Sequence, residues 1–361
     1  LIEAGVKKIF YPCLPFNLVD RAHPNDNHYN CPVVASYAEN IRGNMDILKT
    51  ENVTFLQPFL PINNQKRLCK RLIEEFKAEK LTKKEVEEAC SAAYAELEHY
   101  KQDVRDFAQN VIQKARAENR HLIMLVGRPY HIDPEINHGI ADMIESYGLA
   151  VISEDSVYHE KIKVNKVGLI NQWSYHARLY HAAEFAVENK DVTLIQLSSF
   201  GCGLDAITTD QVKEILEEHQ RIYTLIKLDE VSNLGAARIR LRSLLAALAR
   251  KSVPVFTPIP FTDRPHFTKE CVRKHTILAP QMAPIHFELF KTVLAKFGYN
   301  VVIPALPDKS SIDLGLRYVN NDMCYPAIVV IGQMLEALKS GLYDPDNTSI
   351  MLFQTCGACR A

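Results

Sequence analysis

The sequence lacks a net charge to speak of, with 42 Lys and Arg against 43 Asp and Glu in 361 residues. No whole-chain field therefore draws it to nucleic acid or to an anionic membrane, and neither is expected as a partner. It also lacks a long apolar run. The longest, near residues 327–331, is broken by Gly332 and Gln333 and falls far short of the ~20 residues that cross a bilayer, so a soluble chain is expected. No positively charged, then apolar, leader opens it. Nine cysteines in so large a chain then read as free thiols in a reducing cytoplasm, used for metal binding or catalysis and not as a disulfide scaffold. A phosphate-cradling G-x-x-x-x-G-K-[ST] loop is missing too, so these residues are not expected to hydrolyse ATP.

What is present is an alternation of strands and helices. Length alone suggests two or three domains, and both ends read as cuts in a longer chain: Leu1 lies inside a helix end, and Cys359-Arg360-Ala361 stops within a cysteine motif. The strand-like run 6–10 ends at Tyr11-Pro12-Cys13. Cys31-Pro32 precedes a helix from Val33 to Leu48, with Pro32 in its first turn. Residues 65–117 carry neither Gly nor Pro and show helical spacing, which predicts two long helices. A strand over 121–126 turns at Gly127-Arg128-Pro129 into a helix near 140–146, and a strand over 149–152 follows. A helix over 175–188 leads to a strand over 193–197 that ends at Ser199-Phe-Gly-Cys-Gly203. A helix from Gln211, a strand over 223–228 and a helix over 236–250 complete this stretch. Six prolines between Val253 and Pro284 exclude regular helix or central strand there and mark a linker. Helix 287–297, strand 299–303, helix 327–339 and strand 349–353 then repeat the theme.

The fold class expected is α/β, with Rossmann-like three-layer domains, mostly parallel sheets and a long helical insertion. The domains are read as 1–118, a cysteine-bearing segment with long helices; 119–251, an α/β domain; 252–280, the linker; and 281–361, the start of a further α/β domain.

Six cysteines lie in predicted turns: Cys13, Cys31, Cys202, Cys324, Cys356 and Cys359. Cys13 and Cys202 follow predicted strands, where ligands collect outside the carboxyl ends of a parallel sheet. Gly201 and Gly203 let backbone approach a bulky cofactor beside Cys202. Cys31 and Cys324 precede helix N-termini, which favour negative charge on a thiolate, and soft thiolates suit iron–sulfur clusters. Against this stands the general tendency of free cysteine to be buried for packing alone, which is as good an account of any one taken singly. Cys356-Gly-Ala-Cys359 could be a redox dithiol or half a zinc site, but a zinc ribbon needs a second such pair and none occurs. Cys69, Cys90 and Cys271 are assigned to structure. Arg128 could hold an anion at a helix mouth, while capping and turn roles are favoured for His131, Asp133 and His138. Asp205, Asp210 and Asp229 fit helix starts and turns, and Tyr175, His176, Tyr180 and His181 fit either a pocket or a packed helix face.

Tyr-Pro-Cys13, Asn-Cys31-Pro and Phe-Gly-Cys202-Gly resemble the cysteine positions of the 2-hydroxyacyl-CoA dehydratase and benzoyl-CoA reductase family. Gly127-Arg-Pro-Tyr-His-Ile-Asp-Pro-Glu-Ile-Asn-His-Gly139, Ser199-Phe-Gly-Cys-Gly-Leu-Asp-Ala206 and the stretch 233–243, NLGAARIRLRS, look like the large acyl-CoA dehydratase activase-related proteins. The resemblance implies an iron–sulfur cluster, either one 4Fe-4S cubane or a double cubane, with Cys13, Cys31 and Cys202 as ligands. Asn321-Asp-Met-Cys-Tyr-Pro326 and Gln354-Thr-Cys-Gly-Ala-Cys-Arg360 resemble a further cysteine set. It also implies an ATP-dependent activase module, on the same chain or separate, and an acyl-CoA substrate; a homo-oligomer is expected. The activity expected is that of part of a reductase or dehydratase delivering low-potential electrons. The alternatives are a non-catalytic carrier that docks a separate dehydratase and, last, a structural zinc protein.

Overall fold

A computed structural model describes residues 1–19, 25–162, 164, 169–199, 201–228, 234–250 and 267–353. The chain divides into two units, Leu1–Ser199 with Thr208–Thr257 and Phe200–Ile207 with Pro258–Ala361.

The first unit opens with β1 (Lys8–Phe10), α1 (Pro32–Asn44), α2 (Ile47–Thr50) and β2 (Thr54–Leu56). β1 and β2 pair in parallel, Lys8 opposite Thr54 and Phe10 opposite Leu56. Pro32 does stand in the first turn of α1, where its missing N–H costs nothing, and Cys31 is the N-cap. Met45 ends that helix earlier than the sequence suggests, in extended backbone, before the short α2.

The segment without Gly or Pro forms α3 (Gln65–Glu75) and the 35-residue α4 (Lys83–Ala117). Thr82 and Glu85 make a reciprocal capping box that fixes where α4 starts: the Thr82 N–H donates to Glu85 Oε2 at 2.8 Å and the Glu85 N–H to Thr82 Oγ1 at 3.3 Å. Near its start α4 packs Val86 and Cys90 against Leu68 and Cys69 of α3. Its far end packs Ile112 and Ala115 on the sheet that follows, so the helical insertion is anchored in the α/β core.

That sheet is built from β3 (Leu122–Val126), β4 (Ala150–Ser153), β5 (Val192–Ser199) and β6 (Thr224–Leu228), interleaved with α5 (Pro134–Asn137), α6 (Ile140–Glu145), α7 (Ser174–Glu188), α8 (Gly203–Glu218) and α9 (Gly235–Ala249). The order is β4-β3-β5-β6, all parallel. β3 is buried throughout, as a strand covered on both faces must be. Its residues alternate between two cores: Leu122, Met124 and Val126 meet α4, α7 and α8, whereas Ile123 and Leu125 meet α6 and α9. This is a three-layer α/β fold. α8 starts at Gly203, eight residues before the helix read from the sequence.

In the second unit α10 (Lys269–Lys274) and β7 (Thr276–Leu278) occupy residues assigned to the linker by their proline count. They are followed by α11 (Pro284–Lys296), β8 (Asn300–Val302), α12 (Lys309–Tyr318), α13 (Tyr325–Lys339) and β9 (Thr348–Ile350). β7 is the central strand of a parallel sheet ordered β8-β7-β9. Ile277 and Val301 pack with Leu294 of α11 on one face, and Leu278 packs with Met334 and Ala337 of α13 on the other. α12 and α13 touch through glycines: a Cβ on Gly315 or Gly332 would overlap backbone of the facing helix. Among the described residues, no helix is long and apolar enough to cross a membrane.

Candidate functional site

In the first unit β3 and β5 are neighbours, yet the chain leaves β3 toward β4 on one side and reaches β5 and β6 on the other. The carboxyl ends of β3 and β5 therefore flank the point where the winding reverses, the place where parallel α/β sheets open a ligand crevice. Gly127, Arg128 and His131 follow β3 there, and Ser199 ends β5.

Gly127 is required for this turn, because a Cβ would lie about 2.5 Å from the His131 ring. The turn holds His131 fully buried. The Arg128 backbone N–H donates to His131 Nδ1 at 3.0 Å, and His131 Nε2 lies 3.0 Å from Ser199 Oγ. Since Nδ1 is an acceptor, Nε2 carries the proton and donates it to Ser199. His131 is then no base for Ser199, which argues against a Ser–His nucleophile. The Tyr130 hydroxyl lies 3.3 Å from the same Ser199 oxygen.

Arg128 turns its side chain the other way, and Nη1 donates to Cys31 Sγ at 3.4 Å. Cys31 thus sits at the N-terminus of α1 with a guanidinium against its sulfur. The rest of the motif is turn chemistry, as favoured for Asp133: it caps α5 by accepting from the Glu135 N–H at 2.9 Å.

Cys13 is fully buried. Its N–H donates to the Pro58 carbonyl at 2.9 Å and its carbonyl accepts from Leu60 at 3.0 Å, extending the β1–β2 pairing. Burial pushes its thiol pKa up. Asn30 fastens the two cysteine segments together, its side chain donating to the Leu14 carbonyl at 2.9 Å and its N–H to the Pro15 carbonyl at 3.0 Å.

A similar tie occurs in the second unit. Cys324 is the N-cap of α13, with Pro326 in the first turn, and Cys202 immediately precedes α8, its carbonyl accepting from Ala206 at 2.9 Å. Asn320 donates to the Ala206 carbonyl at 3.4 Å, linking the segments that carry these cysteines. Sequence reasoning missed Asn30, Asn320 and the Arg128–Cys31 contact; an asparagine one to four residues before a cysteine at a helix start was the available signal. Cys356, Cys359 and Asp229 lie outside the described residues.

These pairs offer soft donors to a metal centre, two cysteine segments per unit. Among the described residues, however, no group of three His, Cys, Asp or Glu side chains is gathered closely enough to hold a metal ion. The thiols present fit a cluster's donor chemistry, and the described residues of neither unit assemble a complete ligand set.

The remaining candidates are structural. Cys69 and Cys90 face each other in the α3–α4 core, and burial, reinforced by the hydrogen bond to Cys69, pushes the Cys90 thiol to about 11. Cys271 lies 3.4 Å from the capping Thr268 hydroxyl in α10. His181 donates from Nε2 to the Glu160 carbonyl at 2.9 Å, and Tyr180, pushed up to about 12 by burial, stays neutral in the core. Tyr175, by contrast, lines a cavity.

Fold and site together define a three-layer α/β protein in which Cys31, Cys202 and Cys324 stand at helix starts and Cys13 follows the first strand. Residues 1–157 match the family model described as the CoA enzyme activase uncharacterised domain. The match takes in Cys13, Asn30, Cys31, Arg128 and His131 and covers less than half of the chain. No curated protein and no solved structure matches the chain.

Proposed function

We propose that this chain is an iron–sulfur module of a CoA-enzyme activase system, in which thiolates hold a cubane or double-cubane cluster. Cys13 and Cys31 in the first unit and Cys202 and Cys324 in the second would be ligands, joined by Cys356 and Cys359. When bound, such a cluster supplies single electrons at low potential, here to an acyl-CoA or similar small substrate. The observation that carries the reading is the Arg128 guanidinium 3.4 Å from Cys31 Sγ at the carboxyl edge of the sheet. A packing cysteine needs no such cation, whereas a thiolate ligand gains from it. Asn30 holds the backbone of both cysteine segments in place, and His131 orients Ser199 beside the same turn.

The second reading is a carrier that docks a separate dehydratase, and the activase description of residues 1–157 favours it. An ATP-dependent module, a homo-oligomeric assembly and a cytoplasmic setting belong to both readings. The two are separated by adding an acyl-CoA to anaerobically prepared, reduced protein and recording its electron paramagnetic resonance spectrum. A spectrum altered at stoichiometric acyl-CoA supports substrate chemistry on this chain. An unaltered one, with electrons passed on to an added dehydratase, supports the carrier.

A further inference from the structure

One face of α4 changes character along its length. Val86, Cys90, Tyr94 and Leu97 line an apolar cavity of about 580 Å³. Tyr94 and Leu97 also border a second cavity of about 690 Å³, into which Lys101 and Arg105 of the same face project. Leu18, Ile62, Tyr94 and Leu97 border both cavities, which lie side by side along α4. At 1.5 Å per residue, the stripe from Val86 to Arg105 runs roughly 28 Å.

The second cavity gathers positive charge. Lys101 is paired with Glu98, but Arg105 has no carboxylate partner among the described residues. Arg178 stacks between Tyr158 and Tyr175, its guanidinium carbon 5.1 and 5.0 Å from their ring centres. The carboxyl that faces Arg178, Glu154, is fully buried, and burial pushes it up to about 8, so at neutral pH it leaves the Arg178 charge uncompensated. α7 presents its N-terminus here. Its first residue, Ser174, lines the cavity with about nine-tenths of its surface buried and its hydroxyl without a hydrogen-bond partner. A buried hydroxyl left unpaired carries an uncompensated desolvation cost, which a ligand oxygen would relieve. A helix N-terminus, two uncompensated guanidinium groups and this hydroxyl are the elements of a phosphate site.

We propose that the first unit binds a phosphate ester carrying an apolar arm, with the phosphate against Arg105, Arg178 and Ser174 and the arm laid along α4 toward Val86. None of the candidate ligand cysteines lines this site, and the proposal stands whether or not they hold iron.

The test is calorimetric titration of the whole chain with dodecyl phosphate below its micelle concentration, with inorganic phosphate and dodecyl maltoside as the single-feature probes. Dodecyl phosphate is expected to bind at least tenfold more tightly than either. Arg105→Gln and Arg178→Gln should each weaken it about tenfold without changing dodecyl maltoside, Arg105→Lys should restore most of the loss, and Ala93→Trp, which fills the arm's path, should weaken dodecyl phosphate but not inorganic phosphate. Circular dichroism checks that each variant is folded. Equal binding of dodecyl phosphate and dodecyl maltoside, unaffected by the arginine changes, would reduce the site to an apolar groove and overturn the proposal. So would inorganic phosphate binding as tightly as the ester, or no binding of the ester at all.

Discussion

Cys69 and Cys90 in the helical hairpin and Cys13 and Cys31 beside the sheets are all buried free thiols of one unit, yet their surroundings differ. The hairpin pair has aliphatic neighbours, with each sulfur turned toward the other. Cys31 begins a helix and faces a guanidinium, and Cys13 lies on a connector that Asn30 ties to it. Burial therefore does not separate a packing cysteine from a candidate ligand, since even Cys13 shares the raised thiol of the hairpin. Charge and backbone anchoring do.

The sharpest break of this comparison is by substitution. Cys31→Ala is expected to abolish most of the bound iron, while Cys69→Ala and Cys90→Ala retain it, as read by metal analysis of anaerobically purified protein. Equal iron in all three variants would erase the distinction. Next in size is a titration confined to the sheet edge, where Glu154 follows β4. Its folded pKa, raised to about 8 chiefly by burial and then by Asp155, with Arg178 opposing, means that the folded state holds a proton the unfolded state has released. Stability should be highest below the ordinary carboxyl value of 4.5 and fall as pH rises from there to about 8, by at most roughly 1.4 kcal/mol for each pH step of one. Denaturant melts of Glu154→Gln should lose that slope; an unchanged slope would place the titration elsewhere.

Smaller effects sharpen the contrast further. Gly127→Ala should cost about 1–3 kcal/mol because the new Cβ meets the His131 ring. Gly43→Ala, in the open within α1, should instead stabilise by about 0.5–1 kcal/mol. Cys90→Ala is expected to cost only about 1 kcal/mol, seen as a shifted denaturation midpoint.

The parts of the fold legible in the sequence are those carried by local signals. Absent Gly and Pro exposed α3 and α4, Pro32 marked the start of α1, and the apolar run 121–126 announced β3. α12 escaped because its fully buried positions are Ser311 and Gly315, small residues that allow close approach to α13 and carry no apolar signal of their own. β7 escaped because its three residues stand beside a proline-rich stretch. The start of α8 was missed because Gly201 and Gly203 read as a turn, although glycine is tolerated where a helix begins.

The candidate site divides in the same way. Cys31 and Cys324 as residues before helices could be read from the prolines that follow them. The contacts that give Cys31 its character span 97 residues to Arg128, and the bond that holds the adjoining turn spans 68 residues from His131 to Ser199. Strand order brings these groups together, and no local pattern records it.

The central claim is most directly tested by iron and acid-labile sulfide content, with an absorption spectrum, on the chain purified without oxygen. The account predicts a brown protein with iron and sulfide in near-equal amounts, lost in Cys31→Ala and reduced in Arg128→Gln. A folded, colourless chain free of iron and sulfide would contradict it and leave the cysteines as helix-start and core residues.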